Sequence, residues 1–309
     1  GLKYRFSALA FAILWSGVYL MQKTSYNNHY YLLMLLAYIM AFLPANRDAS
    51  LDVKYNPKLR SQTMYNWMRW IIILQLFIVY TYASVAKLYA DWLDFSMIEV
   101  LMSSKKDYYL IGDLLQQKWV HKIIAVFGIC FDLLVVPALL WKPTRKIAFV
   151  LSIFFHLFNS IVFQIGIFPY LSLAFIVFFF EPQTIRNIFL KTKQIIPETK
   201  VIIPKNKHVI LTVLGVYFLF QLGLPLRHHF FQDDVLWNEE GHRLSWRMML
   251  RSRSGRINYN VVNTQTKDTI KIKLNDYLTK KQQRRVACYP DFIWQFAQHL
   301  KKEYAEQGE

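Results

Sequence analysis

Residues 120–140 read VHKIIAVFGICFDLLVVPALL. Past His121 and Lys122 the run holds a single acidic or basic residue, Asp132. An α-helix rises 1.5 Å per residue, so about 20 such residues cross the ~30 Å hydrocarbon core of a bilayer. Six further apolar runs flank this one, at 6–21, 30–42, 68–90, 147–165, 168–180 and 208–226. The second and sixth of the seven are short for a span and read as tilted, re-entrant or differently bounded. The fold class expected is therefore an all-α multi-pass transmembrane helical bundle of about seven spans. Residues 1–226 form the membrane domain, and 227–309 an extracytoplasmic α+β segment.

Composition agrees with that reading. The chain is 54% hydrophobic and 18% charged, with a mean hydropathy of +0.19, and a soluble domain carries more charge. Aromatic residues make up 17%, and Trp and Tyr favour the headgroup level. The net charge of +17 would raise nucleic acid as a partner for a soluble protein. Here, basic loops facing anionic lipid account for it, and the bilayer rather than nucleic acid is the expected partner. If the helices alternate, one side receives residues 1–5, 43–67, 141–146 and 181–207, with fifteen lysines and arginines. The other side receives 22–29, 91–119 and 166–167, with four. The positive-inside rule places the first set in the cytoplasm and the segment after residue 226 outside it. In that segment GRINYNVVNTQ (255–265) and DTIKIKLNDYL (268–278) alternate as paired strands do. DFIWQFAQHLKKEYAEQ (291–307) has helical periodicity, with Asp291 after Pro290 as a start signal. Both ends read as cut from a longer chain, with the C-terminal segment the start of a larger luminal domain. Cys130 and Cys288 are not expected to pair, and no cysteine cluster has metal-ligand spacing.

Few residues offer chemistry. Lys87 ends the third run among Ala, Val, Leu and Tyr, as a snorkelling anchor or a functional group; position alone leaves both open. KTSYNNHYY (23–31) gathers Asn27, Asn28 and His29 at a membrane edge, either as a capped turn or as a cluster facing a headgroup. It falls on the same side as Lys87. His156, Asn159 and Ser160 lie three and four apart in FFHLFNS and share a helix face. Interhelical hydrogen bonding and the lining of a polar pocket both fit. Asp132, deep in a span, must pair or stay protonated. In WNEEGHRLSWRMMLRSRSG (237–255), Arg251 and Arg253 fit a bidentate anion or lipid phosphate. GxSxG, HExxH and P-loop motifs are absent.

Four of these stretches resemble one family, the vitamin K-dependent γ-glutamyl carboxylases, in family order along most of the chain. They are KTSYNNH (23–29), the region 83–97 around Lys87 (ASVAKLYADWLDFSM), FHLFNSIVFQIGIFPY (155–170) and LSWRMMLRSRS (244–254). The resemblance implies a membrane enzyme that oxidises vitamin K hydroquinone (phylloquinol or menaquinol) to the epoxide with O2. The strong base so formed removes a γ-proton from a peptide glutamate, which then captures CO2. It also implies a glutamate-containing peptide or protein as partner, no metal, and a catalytic face outside the cytoplasm, at a bacterial inner membrane or the endoplasmic reticulum.

Residue by residue, the resemblance implies Lys87 as the base that deprotonates the quinol and His29 as the assistant in epoxide formation. Asn28, His156 and Asn159 fall to the quinone pocket, and Trp246, Arg251 and Arg253 to the glutamate. Three departures stand out. Ala86 replaces a second lysine, Arg247 replaces an acid after Trp246, and Arg47 closes a PANR turn that ends in histidine in the animal enzymes. The quinone half is thus better kept than the glutamate half. Two alternatives follow: a quinol epoxidase without carboxylation, and a non-enzymatic quinone- or lipid-binding membrane protein.

Overall fold

The computed structural model describes residues 1–21, 25–190, 202–248, 250 and 252–306. The described residues are mostly helical, with one two-stranded sheet among them, and the chain divides into two compact units. The first comprises residues 1–19 and 27–250, and the second residues 20–26 and 251–309.

Each of the seven apolar runs forms a helix: α1 (Tyr4–Met21), α2 (Asn28–Phe42), α3 (Trp67–Val85), α4 (Lys118–Leu140), α5 (Arg145–Phe158), α6 (Phe168–Phe175) and α7 (Lys207–Leu226). Among the described residues, α1, α3, α4, α5 with the turn after it, and α7 are long and apolar enough to cross a membrane. A sixth span results if Phe168–Phe179 and Pro182–Phe189, bent by 120°, make one broken crossing. α2, with 15 residues, is shorter than a crossing needs. The seven-span count is therefore approximate, and the two runs read as short in the sequence are the two that fall below the length of a straight span.

Helix ends are closed by local chemistry. The Asn27 side chain accepts from the Tyr30 amide at 2.8 Å and starts α2. At the end of α4, Arg145 donates to the carbonyls of Leu139 (2.8 Å) and Leu140 (3.0 Å). Arg69 likewise donates to Phe178 O at 2.6 Å. Arg145 lies in a connection that the positive-inside rule places in the cytoplasm and Arg69 in the first turn of α3 beside another, and each satisfies carbonyls that hydrocarbon cannot solvate.

α3 packs most extensively against α4. Ser84 Oγ reaches the backbone of α4 at Ile129 O, 2.9 Å away. A buried polar chain ties α3 to α7 and α2. Tyr217 OH donates to Gln75 Oε1 (2.6 Å), Gln75 Nε2 to Gln221 Oε1 (3.3 Å), and Gln221 Nε2 to Tyr31 OH (3.2 Å). Gln75 is fully buried, so its amide has no water to fall back on.

In the second unit, strands β1 (Asn260–Val262) and β2 (Thr269–Lys271) pair antiparallel, with Val261 opposite Ile270. α8 (Lys280–Val286) opens on a capping box from Thr279 and Gln282. α9 runs from Pro290 to Glu306 with Asp291 in its first turn. Phe292, Phe296 and Leu300, on one face of α9, pack with Ile272 and Val286. The strands and helix expected in this segment are present, the strands shorter than the alternating stretches. Both cysteines are free.

Replacing Gln75 by Leu removes two interhelical bonds. The expected loss is about 1–2 kcal/mol, since hydrogen bonds between membrane helices contribute roughly 0.6–2 kcal/mol each. Unfolding in detergent measures it, and an unchanged midpoint would show that the chain of amides contributes nothing.

Candidate functional site

α3 ends at Val85, and Lys87 lies in the turn that follows, its amide bonded to Ser84 O at 3.0 Å. The side chain turns back along the helix, and Nζ donates to Ala83 O at 3.1 Å, one of the carbonyls that a helix end leaves unpaired. The same Nζ makes an ion pair with Asp132 Oδ2 from α4. It also lies 5.5 Å from the centre of the Trp92 ring, within cation–π range. Lys87 is 8% exposed and Asp132 6%. Lys87 is therefore no snorkelling anchor, and Asp132, the acid that had to pair, pairs with it.

The pair forms part of the wall of a cavity of about 310 Å³, lined wholly by residues of the first unit. His29, Asn159, Trp92, Phe168 and Met248 share its lining. Its other walls are Ile and Phe side chains and Gly128 of α4 and α5 and the segment after α5. His29, in the first turn of α2, stacks on Phe168 with centroids 4.7 Å apart and planes 24° from parallel. Asn159 begins a π-helical turn, Asn159–Phe163, at the end of α5. Such turns displace the helical register, and they recur at functional sites. His156 and Asn159 are both buried, while Ser160 bonds Tyr170 OH at 2.9 Å.

The other candidates lie further back or elsewhere. His156 is fully buried, its Nε2 at 2.8 Å from Tyr80 OH. Its ring makes a T-shaped contact with Phe168, centroids 5.7 Å apart, so it touches the ring on which His29 stacks. Asn28 donates its amide to Arg247 O at 2.9 Å. Trp246 is 1% exposed and stacks on Tyr31, 4.9 Å between centroids; it is absent from the lining, to which Met248 belongs. Arg251 lies outside the described residues, and Arg253 belongs to the second unit. The sequence reading had not named Trp92, Phe168 or Met248 as site residues. Aromatic and thioether side chains are ordinary in a membrane helix, and only packing singles these out. Among the described residues no group of three metal-ligating side chains comes together.

The structure thus defines a multi-pass membrane protein with a polar floor in an apolar cavity. Residues 1–183 match the HTTM domain, and residues 206–309 match the lumenal domain of vitamin K-dependent gamma-carboxylase. The chain belongs to this carboxylase family of HTTM membrane proteins. No solved structure matches the chain. The family's lumenal domain agrees with the placement of the C-terminal segment outside the cytoplasm.

Breaking a buried ion pair by removing one partner leaves an uncompensated charge, at a cost of roughly 3–5 kcal/mol. Asp132→Asn and Lys87→Met are each expected to destabilise on that scale. The double variant Lys87→Met/Asp132→Leu is expected to recover most of the loss, because neither charge remains. Unfolding of all three in detergent checks this, and losses that simply add would contradict the pairing.

Proposed function

We propose that this cavity is the quinol site of a vitamin K-dependent γ-glutamyl carboxylase-like enzyme. The observation that carries the reading is the Lys87–Asp132 pair at the floor of an aromatic-walled cavity in the membrane. An apolar pocket with a few convergent polar groups is the usual form of a small-molecule site. The cavity volume of about 310 Å³ suits a fused bicyclic ring, with phenylalanines as walls and Lys87, Asp132, His29 and Asn159 as polar partners. The residues present therefore fit a quinol.

When bound, reduced vitamin K supplies, through its oxidation by O2 to the epoxide, a base stronger than any side chain, for carboxylation of glutamate by CO2. The protein's share is proton handling and exclusion of water. Ala83 O and Asp132 Oδ2 take two of the directions around Lys87 Nζ. In the ion pair Lys87 is an ammonium with a third N–H left for the cavity. Once that proton has left, the two remaining N–H donors stay on Ala83 O and Asp132 Oδ2, and the lone pair can take a hydroxyl proton in the cavity. His29, held flat on Phe168, offers a ring nitrogen as hydrogen-bond partner to a ring oxygen, and Asn159 offers its amide. His156 acts through Phe168, and Asn28 through the segment around Arg247; both are positioning residues. The Phe and Ile walls keep bulk water from the base.

The glutamate half of the proposal rests on Trp246, Arg251 and Arg253 on the extracytoplasmic side, with residues 1–226 as the membrane domain and 227–309 outside it. One observation favours a second reading. Trp246 is packed into the core against Tyr31, and Arg247 stands beside it where the family has an acid. A quinol epoxidase without carboxylation accommodates both.

The test is an assay of the protein in nanodiscs with reduced vitamin K or menaquinol, O2, labelled bicarbonate and a glutamate-containing peptide, following epoxide and fixed label separately. Both products, lost together in Lys87→Ala, are expected of the carboxylase; epoxide alone supports the second reading, and neither product overturns both. Lys87→Arg is expected to fail as well, because guanidinium does not give up its proton near neutral pH. His29→Ala is expected to slow epoxide formation more than it weakens peptide binding. The reverse order would move His29 to the peptide side.

A further inference from the structure

We propose that the cavity opens sideways into the hydrocarbon of the extracytoplasmic leaflet between α4 and α5. The molecule bound at its floor keeps its polyprenyl tail in that opening. The identity of the ring at the floor rests on the quinol reading above; the opening and its apolar occupant rest on the cavity itself.

The lining is graded from open to closed. On α4, Ile123 is 56% exposed and Phe127 40%, and across from them on α5 Phe154 is 68% exposed. Lys87, Asp132, Asn159 and Phe168, which line the same cavity, are each below 9%. Ile123 and Phe127 lie four apart on α4, as Phe154 and Phe158 do on α5, so each helix gives the mouth one face. Four residues beyond Gly128 on α4, the same face reaches Asp132. The cavity thus runs from an open apolar mouth to a closed polar floor.

Depth follows from the helix. α4 begins at Lys118 on the extracytoplasmic side. Ile123 and Phe127 are then about 7.5 and 14 Å along its axis. That places the mouth in the outer half of a hydrocarbon core ~30 Å thick. What meets it there is acyl chain, and a ligand that reaches the floor from it arrives from the bilayer.

The distribution of polar groups selects the occupant. Besides the Trp92 indole, the polar side chains of the lining are His29, Lys87, Asp132 and Asn159, and the mouth carries none. A phospholipid would have to bring a charged headgroup through Phe and Ile to reach the floor, which hydrocarbon opposes by several kcal/mol. Among the described residues the lining includes no arginine, and its one lysine, Lys87, is at the floor in the ion pair with Asp132. A neutral lipid with a flat polar ring meets neither obstacle. It enters ring first and leaves its tail among Ile123, Phe127 and Phe154.

The test uses an oxidised menaquinone with a short prenyl tail that ends in a diazirine, incorporated in nanodiscs with the protein and photolysed. No turnover is needed. The expected result is covalent label on the α4 segment that includes Ile123 and Phe127 and on α5 at Phe154, competed by unlabelled menaquinone. In Ile123→Trp/Phe154→Trp, which fills the mouth with side chains at lipid-exposed positions, that label is expected to fall about tenfold, the change that 1.4 kcal/mol of lost affinity produces. A second probe, a phospholipid with the diazirine on one acyl chain, separates the occupants. If it labels the same residues and menaquinone does not displace it, the mouth holds bilayer lipid and the proposal is overturned. Tail label that lands away from α4 and α5 also overturns it. Competed label at the mouth without epoxide formation supports the opening and sinks the enzymatic reading, so the two fail separately.

Discussion

One ion pair sets the terms for the rest of the membrane domain. A lone ammonium or carboxylate in hydrocarbon is among the most unfavourable groups a helix can carry. Lys87 and Asp132, 45 residues apart, remove two such liabilities at once. To meet, they need α3 and α4 in one register, and two further bonds to α4 lie on the N-terminal side of Asp132. Ser84 Oγ bonds Ile129 O, and Trp92 Nε1 bonds Ala125 O at 3.2 Å. The contacts fall at successive levels along α4 (Ala125, Ile129, Asp132), so sliding α4 breaks all three together. A helix pair fixed in this way can present a charged group to a cavity without letting it drift to the headgroups.

The segment that follows α7 is held to the same helices by its backbone. Asn28 donates to Arg247 O, and Tyr89 OH to Leu250 O. Trp246 is driven into the core against Tyr31, while Met248, two residues on, reaches the cavity. Leu244 (φ 59°) and Trp246 (φ 58°) both adopt left-handed backbone, at a cost of roughly 1–2 kcal/mol each for residues with a Cβ. Strain of this size persists where the surroundings over-determine the conformation. The anchored Trp246 and the two carbonyl bonds are those surroundings, and the result is a cavity wall from a segment that is not a helix.

The sequence made the membrane architecture legible because hydropathy and length act locally. Seven apolar runs became seven helices, and α2 and α6, read as short, are the two that do not make straight spans on their own. Lys87 and Asp132 were each visible as a charge out of place, but nothing in the local pattern joins residue 87 to residue 132. Electroneutrality in hydrocarbon, applied to both at once, would have paired them. His156 and Asn159 were legible as buried polar residues of one helix face. The π-helical turn that starts at Asn159 was not, since no local residue type announces it. The burial of Trp246 against Tyr31 is not legible in the sequence, because a tryptophan at a membrane edge is equally at home in water-facing and buried positions.

The site is built in layers, and each residue's layer decides what it can do. Lys87, Asp132, His29 and Asn159 line the cavity and can touch what enters it. Phe168 is shared: one face carries the His29 ring, while His156 meets it edge-on. His156 is itself held by Tyr80 OH. Tyr80 belongs to α3, the helix that delivers Lys87, so the lysine and the histidine at opposite ends of the chain of contacts are referenced to one element. A displacement of α3 would move the ammonium and, through Tyr80, His156 and Phe168, the plane of His29 as well. In a membrane, where no water relaxes around a misplaced charge, a shared frame of this kind keeps the polar groups of the cavity wall at fixed separation.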